Sequence, residues 1–391
     1  MASKAWICCM VGMTLGLAAG WAQRQEQDVP GQNPSQDAAE PIPPPSARRP
    51  MIQVALVLDT GDHMSGLVEQ ARIEVWSIAN ELLLLDKAGR SPIVEIGVVA
   101  YGNGDVPVGR GYGRAAVPFS TDIDSVSLAL GQARTAGGHE YCGWAIQEAV
   151  QRLNWSPYPE DMRVIFIAGN ESFTQGPVDY PSSCQAAAAK MIVVNTVYCG
   201  PYNSGVHYGW TGASQATGGQ YISISVNKPP RYRPTLVDDA LLDLNRRLNE
   251  TYRLVADPSR DLLKRQQEQD RDVWLLSREA VFQRIVTKAV LGLAQDPIAV
   301  QQQGSPDEIA QTATTSKELE QMQAQAELRR QIEQQILDLG RQRRLALMAG
   351  EPAPSQQGHT LGSAVIQVLR EQVVKKGFTF ERPASAGEDQ K

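Results

Sequence analysis

The stretch LVLDTGDHMSG, Leu56 to Gly66, places polar residues directly after a run of apolar ones. The run predicts a buried strand ending at Asp59, and an aspartate at the carboxyl end of a strand is well placed for an ion or ligand site. The loop continues with Gly61, which has no side chain, and with His63, whose imidazole is a poor ligand for Mg²⁺. The stretch therefore predicts a ligand-binding loop that is poorly suited to Mg²⁺.

Further polar residues follow the other predicted strands. In a parallel sheet the loops after the strands lie at one end, which is where such folds bind ligands. Besides the residues of the first loop, we expect this end to collect His139, Glu140, Cys142, Asn170, Glu171, Cys184, Cys199 and His207. One hypothesis is a divalent metal held by Asp59, His63 and His139, with Zn²⁺ favoured over Mg²⁺ by the nitrogen ligands. The simpler hypothesis is that polar residues gather in loops of any fold and that no metal or other cofactor binds.

Aromatic residues concentrate in CGPYNSGVHYGW, residues 199–210. Because exposed aromatic side chains often anchor protein recognition, we expect Tyr202, Tyr208 and Trp210 to contact a protein partner. The other members of the predicted ligand-binding set are Asp59, Gly61, His63, His139, Glu140, Asn170 and Glu171. No Gly-x-Ser-x-Gly elbow or other nucleophile–base pair is visible in the sequence, so we do not expect an enzyme.

The cysteines raise the question of a disulfide. The predicted mature chain keeps Cys142, Cys184 and Cys199. In an oxidising compartment this set suggests one disulfide and one free thiol. Cys184 opens a predicted helix whose far end leads into the strand that finishes at Cys199, so we predict the pair Cys184–Cys199, with Cys142–Cys199 as the alternative.

The pattern from residue 51 to about residue 225 alternates apolar runs with helical periodicity. The predicted strands cover 51–58, 93–101, 115–119, 163–169, 191–199 and 218–225. Strands separated by helices at such intervals are typical of an α/β fold, here a doubly wound, mostly parallel, Rossmann-like sheet with helices on both faces.

The amino-terminal residues predict export. Lys4 precedes a short apolar run with small residues at its end, which is typical of a signal peptide over residues 1–22, with an uncleaved anchor as the alternative. Residues 23–50 are rich in Pro and Gln and predict a disordered linker. No later stretch predicts a membrane span, and we expect a secreted or periplasmic protein. With 37 basic and 43 acidic residues, the chain has no excess of positive charge, so we expect no nucleic-acid partner.

The carboxyl-terminal part predicts helices only. We expect a helical extension over 229–298, a long charged Gln-rich helix over 299–350, and an amphipathic helix with a tail over 351–391. The long helix has a narrow apolar stripe that Arg329 and Arg343 interrupt. We interpret it as a solvent-exposed helix whose narrow apolar stripe packs against a partner surface, and a long coiled coil is the alternative.

The order of these motifs resembles the von Willebrand factor type A domain over residues 51–225. The resemblance rests on a strand ending in aspartate, a GG loop before a helix, the strand that leads into AGNES (168–172), and ATGGQY (216–221). The whole chain also resembles a group of exported bacterial proteins with this domain, through EYCG (140–143), FIAGNESFTQGPVDY (166–180) and REQVVKKGFTF (370–380). The resemblance implies the α/β fold over residues 51–228, export, and binding of a protein partner through the loops at the strand carboxyl ends.

The resemblance also implies an ion site that this sequence departs from. In type A domains the first loop reads Asp-x-Ser-x-Ser, a second loop gives a threonine and a third gives an aspartate. Here Asp59 keeps the first position, Gly61 and His63 take the two serine positions, the threonine position falls on His139 or Glu140, and Gly169 takes the third-loop aspartate position. We therefore predict partner binding without Mg²⁺, and a rebuilt His/Asp/Cys metal site is the alternative.

Overall fold

The computed structural model describes residues 48–107, 114–251, 258–294, 316–349 and 359–380. The described residues from Arg49 onward belong to one compact unit. The predicted signal peptide, almost all of the predicted linker, residues 299–315 of the predicted long charged helix and the tail after Phe380 lie outside the described residues.

Strands and helices alternate through the first part of the chain, and helices dominate after β7. The elements in chain order are β1 Met51–Asp59, α1 Ser65–Leu83, β2 Leu85–Asp86, β3 Ile93–Tyr101, β4 Arg114–Ser120, α2 Ile123–Gln132, α3 Cys142–Arg152, β5 Met162–Gly169, α4 Tyr180–Ala189, β6 Val193–Cys199, α5 Tyr202–His207, α6 Trp210–Thr217, β7 Tyr221–Ile224, α7 Asp238–Thr251, α8 Pro258–Leu276, α9 Arg278–Ala294, α10 Ser316–Ala349, α11 Leu361–Lys375 and β8 Thr379–Phe380.

The main sheet has six strands in the order β4-β3-β1-β5-β6-β7. Its strands pair in parallel, except that β4 runs antiparallel to β3 at one edge. The central strands are continuous apolar runs because helices cover both of their faces. The predicted doubly wound, mostly parallel α/β fold is confirmed, and each predicted strand corresponds to an observed one. The short strands β2 and β8 form a separate antiparallel pair.

Each face of the sheet has its own apolar core, because successive side chains of a strand point to opposite faces. On β1, Leu56 and Leu58 face the core that α1 and α2 cover, whereas Ala55 and Val57 face the core under α3, α4 and α6. Helices thus lie on both faces, as the sequence predicts.

The carboxyl-terminal helices belong to the first of these cores. Leu241 of α7, Phe282 of α9, Ile336 of α10 and Val365 of α11 join the apolar cluster that includes Trp76 of α1. This core therefore continues past residue 228, where the sequence predicts a domain boundary. In the part of the chain that is described, no helix has both the length and the apolar composition to cross a bilayer.

Candidate functional site

The loops that follow β1, β3 and β5 meet at one end of the sheet, because the strand register brings their last residues side by side. Asp59 pairs with Tyr101 across β1 and β3, and Leu58 pairs with Ala168 across β1 and β5. The loop before α3 closes over the same end, where the amide of Ala136 donates to the carbonyl of Thr60 at 3.0 Å. We call this surface the strand-end face and define it by Asp59–His63, Gly102–Asp105, Gly137–Tyr141, Gly169–Gln175 and Gly200–Gly209.

Asp59 is the centre of the face and is completely buried. Its Oδ1 accepts a hydrogen bond of 2.7 Å from the amide of Gly61, whereas its Oδ2 accepts none. The pKa of Asp59 is raised from 3.8 to about 7, mainly by burial and in smaller part by the charges of Glu140 and Glu171. The Gly61 and Asn170 amides oppose this rise. The Asn170 amide nevertheless does not reach hydrogen-bonding geometry at Oδ2, which leaves a buried acceptor without a donor.

Glu140 fills the space that a side chain at position 61 would need. A β-carbon at Gly61 would lie 2.5 Å from Glu140 Oε1 and 3.0 Å from Asp59 Oδ1. Gly102, with φ of 76°, has the same two neighbours, Asp59 Oδ1 at 2.8 Å and Glu140 Cγ at 3.0 Å. A side chain at position 61 would therefore displace the carboxylate of Glu140. Of the two candidates for the threonine position, Glu140 is the one that reaches Asp59.

Tyr101 fills the corresponding space at the third loop. A β-carbon at Gly169 would overlap the Tyr101 hydroxyl and would lie 3.1 Å from Asp59 Oδ2. The hydroxyl is held in place because it donates to the carbonyl of Ala168 at 3.0 Å. Burial raises the pKa of Tyr101 well above its ordinary value, so the phenol is neutral. An aspartate at position 169 does not fit this packing.

The exposed part of the face is acidic. Burial raises the pKa of Glu140, and the nearby charges of Glu171 and Asp62 raise it further, while His139 lowers it. Asp62 and Glu171 are exposed, and Glu140 is half-buried. Glu171 accepts a hydrogen bond from Gln175 at 3.1 Å. Within the described residues, none of these carboxylates pairs with a lysine or arginine.

The histidines are not assembled into the predicted metal site. His63 and His139 are both exposed, whereas Asp59 is buried beneath them. His139 stacks on Tyr141, with ring centroids 5.7 Å apart. Among the residues that the structure describes, no three or more His, Cys, Asp or Glu side chains are arranged to hold a metal ion. The predicted set Asp59, His63 and His139 is therefore wrong, because the two imidazoles lie on the surface rather than around Asp59.

The three aromatic residues predicted as anchors in residues 199–210 differ in their exposure. Tyr208 is 42% exposed and lies beside the exposed Val206 and His207. Tyr202 is half-buried and its carbonyl accepts from the Tyr221 hydroxyl at 2.6 Å. Trp210, in contrast, is completely buried, so the prediction of a surface anchor is wrong at this position.

Trp210 instead packs beneath the strand-end face. Its indole N–H donates to the carbonyl of Glu171 at 2.8 Å, and its ring meets the edge of Phe173 with centroids 4.8 Å apart. The Phe173 amide donates to the Tyr208 carbonyl at 2.9 Å. The segments that carry Glu171 and Tyr208 are therefore joined by hydrogen bonds.

The predicted disulfide Cys184–Cys199 is wrong, since Cys142, Cys184 and Cys199 are all free thiols. Cys199 faces the core under α1, together with Val197 of the same strand. Cys184 and Cys142 face the opposite core. The sheet separates Cys199 from both possible partners, which also excludes the alternative pair Cys142–Cys199.

Sequence reasoning missed three contributors to the face, namely Asp62, Tyr101 and Gly102. Tyr101 could have been found from the sequence, because it is the last residue of the strand predicted over 93–101. Asp62 lies inside the first loop, three residues after Asp59. Gly102 begins a Gly-rich loop, but its approach to Asp59 depends on the path of that loop, which the sequence does not show.

No protein-family model matches the chain, and no curated protein matches it either. Several solved structures do. The conserved hypothetical protein BatB from Bacteroides thetaiotaomicron is 14% identical, with a TM-score of 0.34 over 44% of this chain and 90% of that chain. An aerotolerance-related membrane protein from Bacteroides fragilis is 13% identical, with a TM-score of 0.31 over 44% of this chain and 92% of that one. A von Willebrand factor type A protein from Catenulispora acidiphila is 12% identical, with a TM-score of 0.33 over 45% of this chain and 39% of that one. Likenesses at this level carry no argument about function.

The fold itself is the one that the sequence resemblance implied. Asp59 ends the third strand of the order β4-β3-β1-β5-β6-β7, and the loops that the resemblance assigned to binding close over it. Helices cover both faces of the sheet, and the helical carboxyl-terminal region packs on one of them. The chain therefore has the doubly wound, mostly parallel α/β fold with a helical carboxyl-terminal region, with Asp59 at the end of β1 and glycines at positions 61 and 169.

Proposed function

We propose that this protein is a non-enzymatic interaction module that binds a protein partner through the strand-end face. The observation that carries the proposal is the position of Glu171 and Tyr208. Both are exposed on segments that hydrogen bonds hold together, and both lie at the end of the sheet where parallel α/β folds bind ligands.

The state of the cysteines supports a role without catalysis. Burial raises the pKa of Cys184 to about 11 and raises the pKa of Cys142 and Cys199 strongly as well. Because the thiolate is the nucleophile, buried thiols with raised pKa values are unreactive at neutral pH. None of the three is suited to nucleophilic chemistry.

The packing around Asp59 supports binding without Mg²⁺. Mg²⁺ takes oxygen ligands in near-octahedral geometry. At position 61 the space for a hydroxyl is taken by Glu140, and at position 169 the space for a carboxylate is taken by Tyr101. We propose that the partner contacts the protein side chains directly. We further propose that the protein is exported, which its amino-terminal residues support.

A comparative capture experiment tests the proposal. The immobilised protein is incubated with an extract of its own cells, with and without EDTA, and captured proteins are identified by mass spectrometry. The face variant is Glu171→Ala with Tyr208→Ala, and the control variant is Trp274→Ala, which removes an aromatic side chain that is 47% exposed on α8. We expect the same protein on the wild type and on the control, with or without EDTA, but not on the face variant.

Equal capture by all three proteins would contradict the proposal, because the face would then contribute nothing. Loss of capture in EDTA would contradict the metal-independent part alone.

A further inference from the structure

We propose that the strand-end face recognises a basic segment of its partner, with a lysine or arginine side chain seated between Glu140, Glu171 and Asp62, above Asp59. This inference rests on the proposed function and names the chemistry of the partner.

The charge of the face is unbalanced. Glu171 and Asp62 both act on Glu140 as like charges, and among the described residues none of the three has a lysine or arginine partner. Like charges held together at a surface favour a ligand of the opposite sign and repel acidic ones. A partner with a cationic side chain removes this repulsion.

The carboxylate of Asp59, which has no exposed surface, keeps one oxygen without a hydrogen-bond donor, namely Oδ2. Its Oδ1 accepts from Gly61 and borders Glu140 Oε1 at position 61, whereas Oδ2 borders position 169, two residues before Glu171. The carboxylate therefore lies between the loops that carry Glu140 and Glu171. A buried acceptor without a donor is uncommon in folded proteins, and here it adds to the attraction for a cation.

The distribution of the carboxylates fits an organic cation better than a metal ion. In the described part of the chain, these side chains do not form a set of three that could hold a metal. They are spread from Asp62 to Glu171 over the carboxyl ends of three neighbouring strands, β3, β1 and β5. A guanidinium group has five donors in a planar fork, and an ammonium group has three, so either can bridge carboxylates that do not converge on one point.

An aromatic side chain lies on the same face as the acidic residues. Tyr208 is 42% exposed, and its segment is hydrogen-bonded to the one that carries Glu171. Lysine and arginine are attracted to the face of a tyrosine ring. A basic side chain that reaches Glu171 would also find this ring within the same surface.

The test is a selection from a random displayed-peptide library on the full chain. Selected peptides are then measured on a face triple variant, Asp62→Asn with Glu140→Gln and Glu171→Gln, which keeps side-chain shape. The control triple, Asp239→Asn with Glu268→Gln and Asp272→Asn, removes the same charge from exposed positions on α7 and α8. We expect peptides enriched in lysine or arginine that bind the control like the wild type and the face triple at least tenfold more weakly. Binding should also weaken as the salt concentration rises.

Two outcomes separate this inference from the function it rests on. If selected peptides lose binding on Tyr208→Ala but lack basic residues, or bind the face triple unchanged, the basic-partner inference is wrong and the proposed function stands. If every selected peptide binds Tyr208→Ala and the face triple as well as the wild type, both are wrong. Thermal unfolding of each variant shows whether it is folded, and Glu171→Gln alone, at an exposed position, replaces the triple if the triple is not.

Discussion

Asp59 makes the stability of the protein depend on pH. Its pKa rises from 3.8 to about 7 on folding, because burial disfavours the charged form. For an acid whose pKa is raised by folding, the folded state is most favoured below the unfolded pKa, and stability falls as the pH rises towards the folded pKa. Between pH 5 and pH 8 this one group lowers the free energy of unfolding by about 3 kcal/mol.

Between pH 5 and pH 8, we therefore expect the free energy of unfolding to fall by about 3 kcal/mol less in Asp59→Asn than in the wild type. Urea unfolding at pH 5 and pH 8 measures it, with Asp62→Asn as the control at an exposed neighbour. Glu74 and Glu333 also have pKa values raised by burial to about 7, so the comparison between variants is the informative quantity. Equal slopes for Asp59→Asn and the wild type would contradict the assignment.

The contact between Tyr101 and Gly169 explains why the third loop has no aspartate. Gly169→Ala forces the new methyl group against the Tyr101 hydroxyl, and we expect it to lower the free energy of unfolding by about 2 kcal/mol. Tyr101→Phe removes that hydroxyl, along with its hydrogen bond to Ala168, at a cost of about 1 kcal/mol.

A double-mutant cycle separates the two effects. In the Tyr101→Phe background, Gly169→Ala should cost clearly less than in the wild type. Additive costs in urea unfolding would show that the hydroxyl is not what excludes a side chain at position 169.

At the residue scale the sequence located the loops of the face but not their packing. Asp59, Glu140 and Glu171 were predictable, because each follows a strand or precedes a helix. The burial of Trp210 and the exposure of His63 and His139 were not, because a loop sequence does not say which side chains point inward. Cys199 had a usable signal, since the alternation of β6 already places it on the same face as Val197 and opposite to Tyr198.

At the element scale, α1 holds the start of α11 through two side chains. Glu74 accepts from the Gly362 amide at 2.7 Å and from the Thr360 hydroxyl, while Gln70 accepts from the Leu361 amide at 2.8 Å. The two amides are donors that a helix leaves unsatisfied at its first turn. Because the site is buried, removing Glu74 leaves the Gly362 amide without its acceptor.

We expect Glu74→Ala to lower the free energy of unfolding by about 3 kcal/mol and to speed hydrogen exchange at Gly362. Glu69→Ala, at an exposed position on the same helix, controls for the change in charge and in helix propensity. If both variants lose the same small amount, Glu74 does not hold α11.

A buried ion-pair network joins α10 to the rest of the molecule. Arg343 is buried, and it binds Asp238 at 3.0 Å and Glu279 at 2.7 Å. Arg343→Ala leaves two acids without their partner, and we expect it to cost about 3 to 5 kcal/mol in urea unfolding. Arg341→Ala removes a surface pair with Asp338 and should cost less than about 1 kcal/mol. Similar costs for the two would contradict a structural role for the network.

Arg343 also shows a limit of prediction at this scale. From the sequence alone, an arginine within an apolar stripe indicates an interruption of packing. In the structure Arg343 is part of the packing, because acids from α7 and α9 meet it.

At the scale of the whole molecule, the carboxyl-terminal helices pack against α1 and join the core on its side of the sheet. Trp76, Ile78 and Leu82 of α1 have no exposed surface, and they share their core with Phe282 of α9 and Leu369 of α11. An amphipathic helix pattern predicts that one side of a helix is buried but does not say against what. The sequence therefore predicted these helices and not the surface they cover.

This packing gives a clear expectation for truncation. A chain ending at residue 228 keeps every strand of the main sheet but loses α7, α9, α10 and α11, so the outer side of α1 becomes a large exposed apolar surface. We expect residues 49–228 to aggregate or to bind a hydrophobic dye, and residues 49–380 to be monodisperse with a single cooperative unfolding transition. Size-exclusion chromatography and thermal unfolding of the two chains measure this. A well-folded 49–228 would show that the sheet and its own helices are sufficient and that the carboxyl-terminal helices are an independent addition.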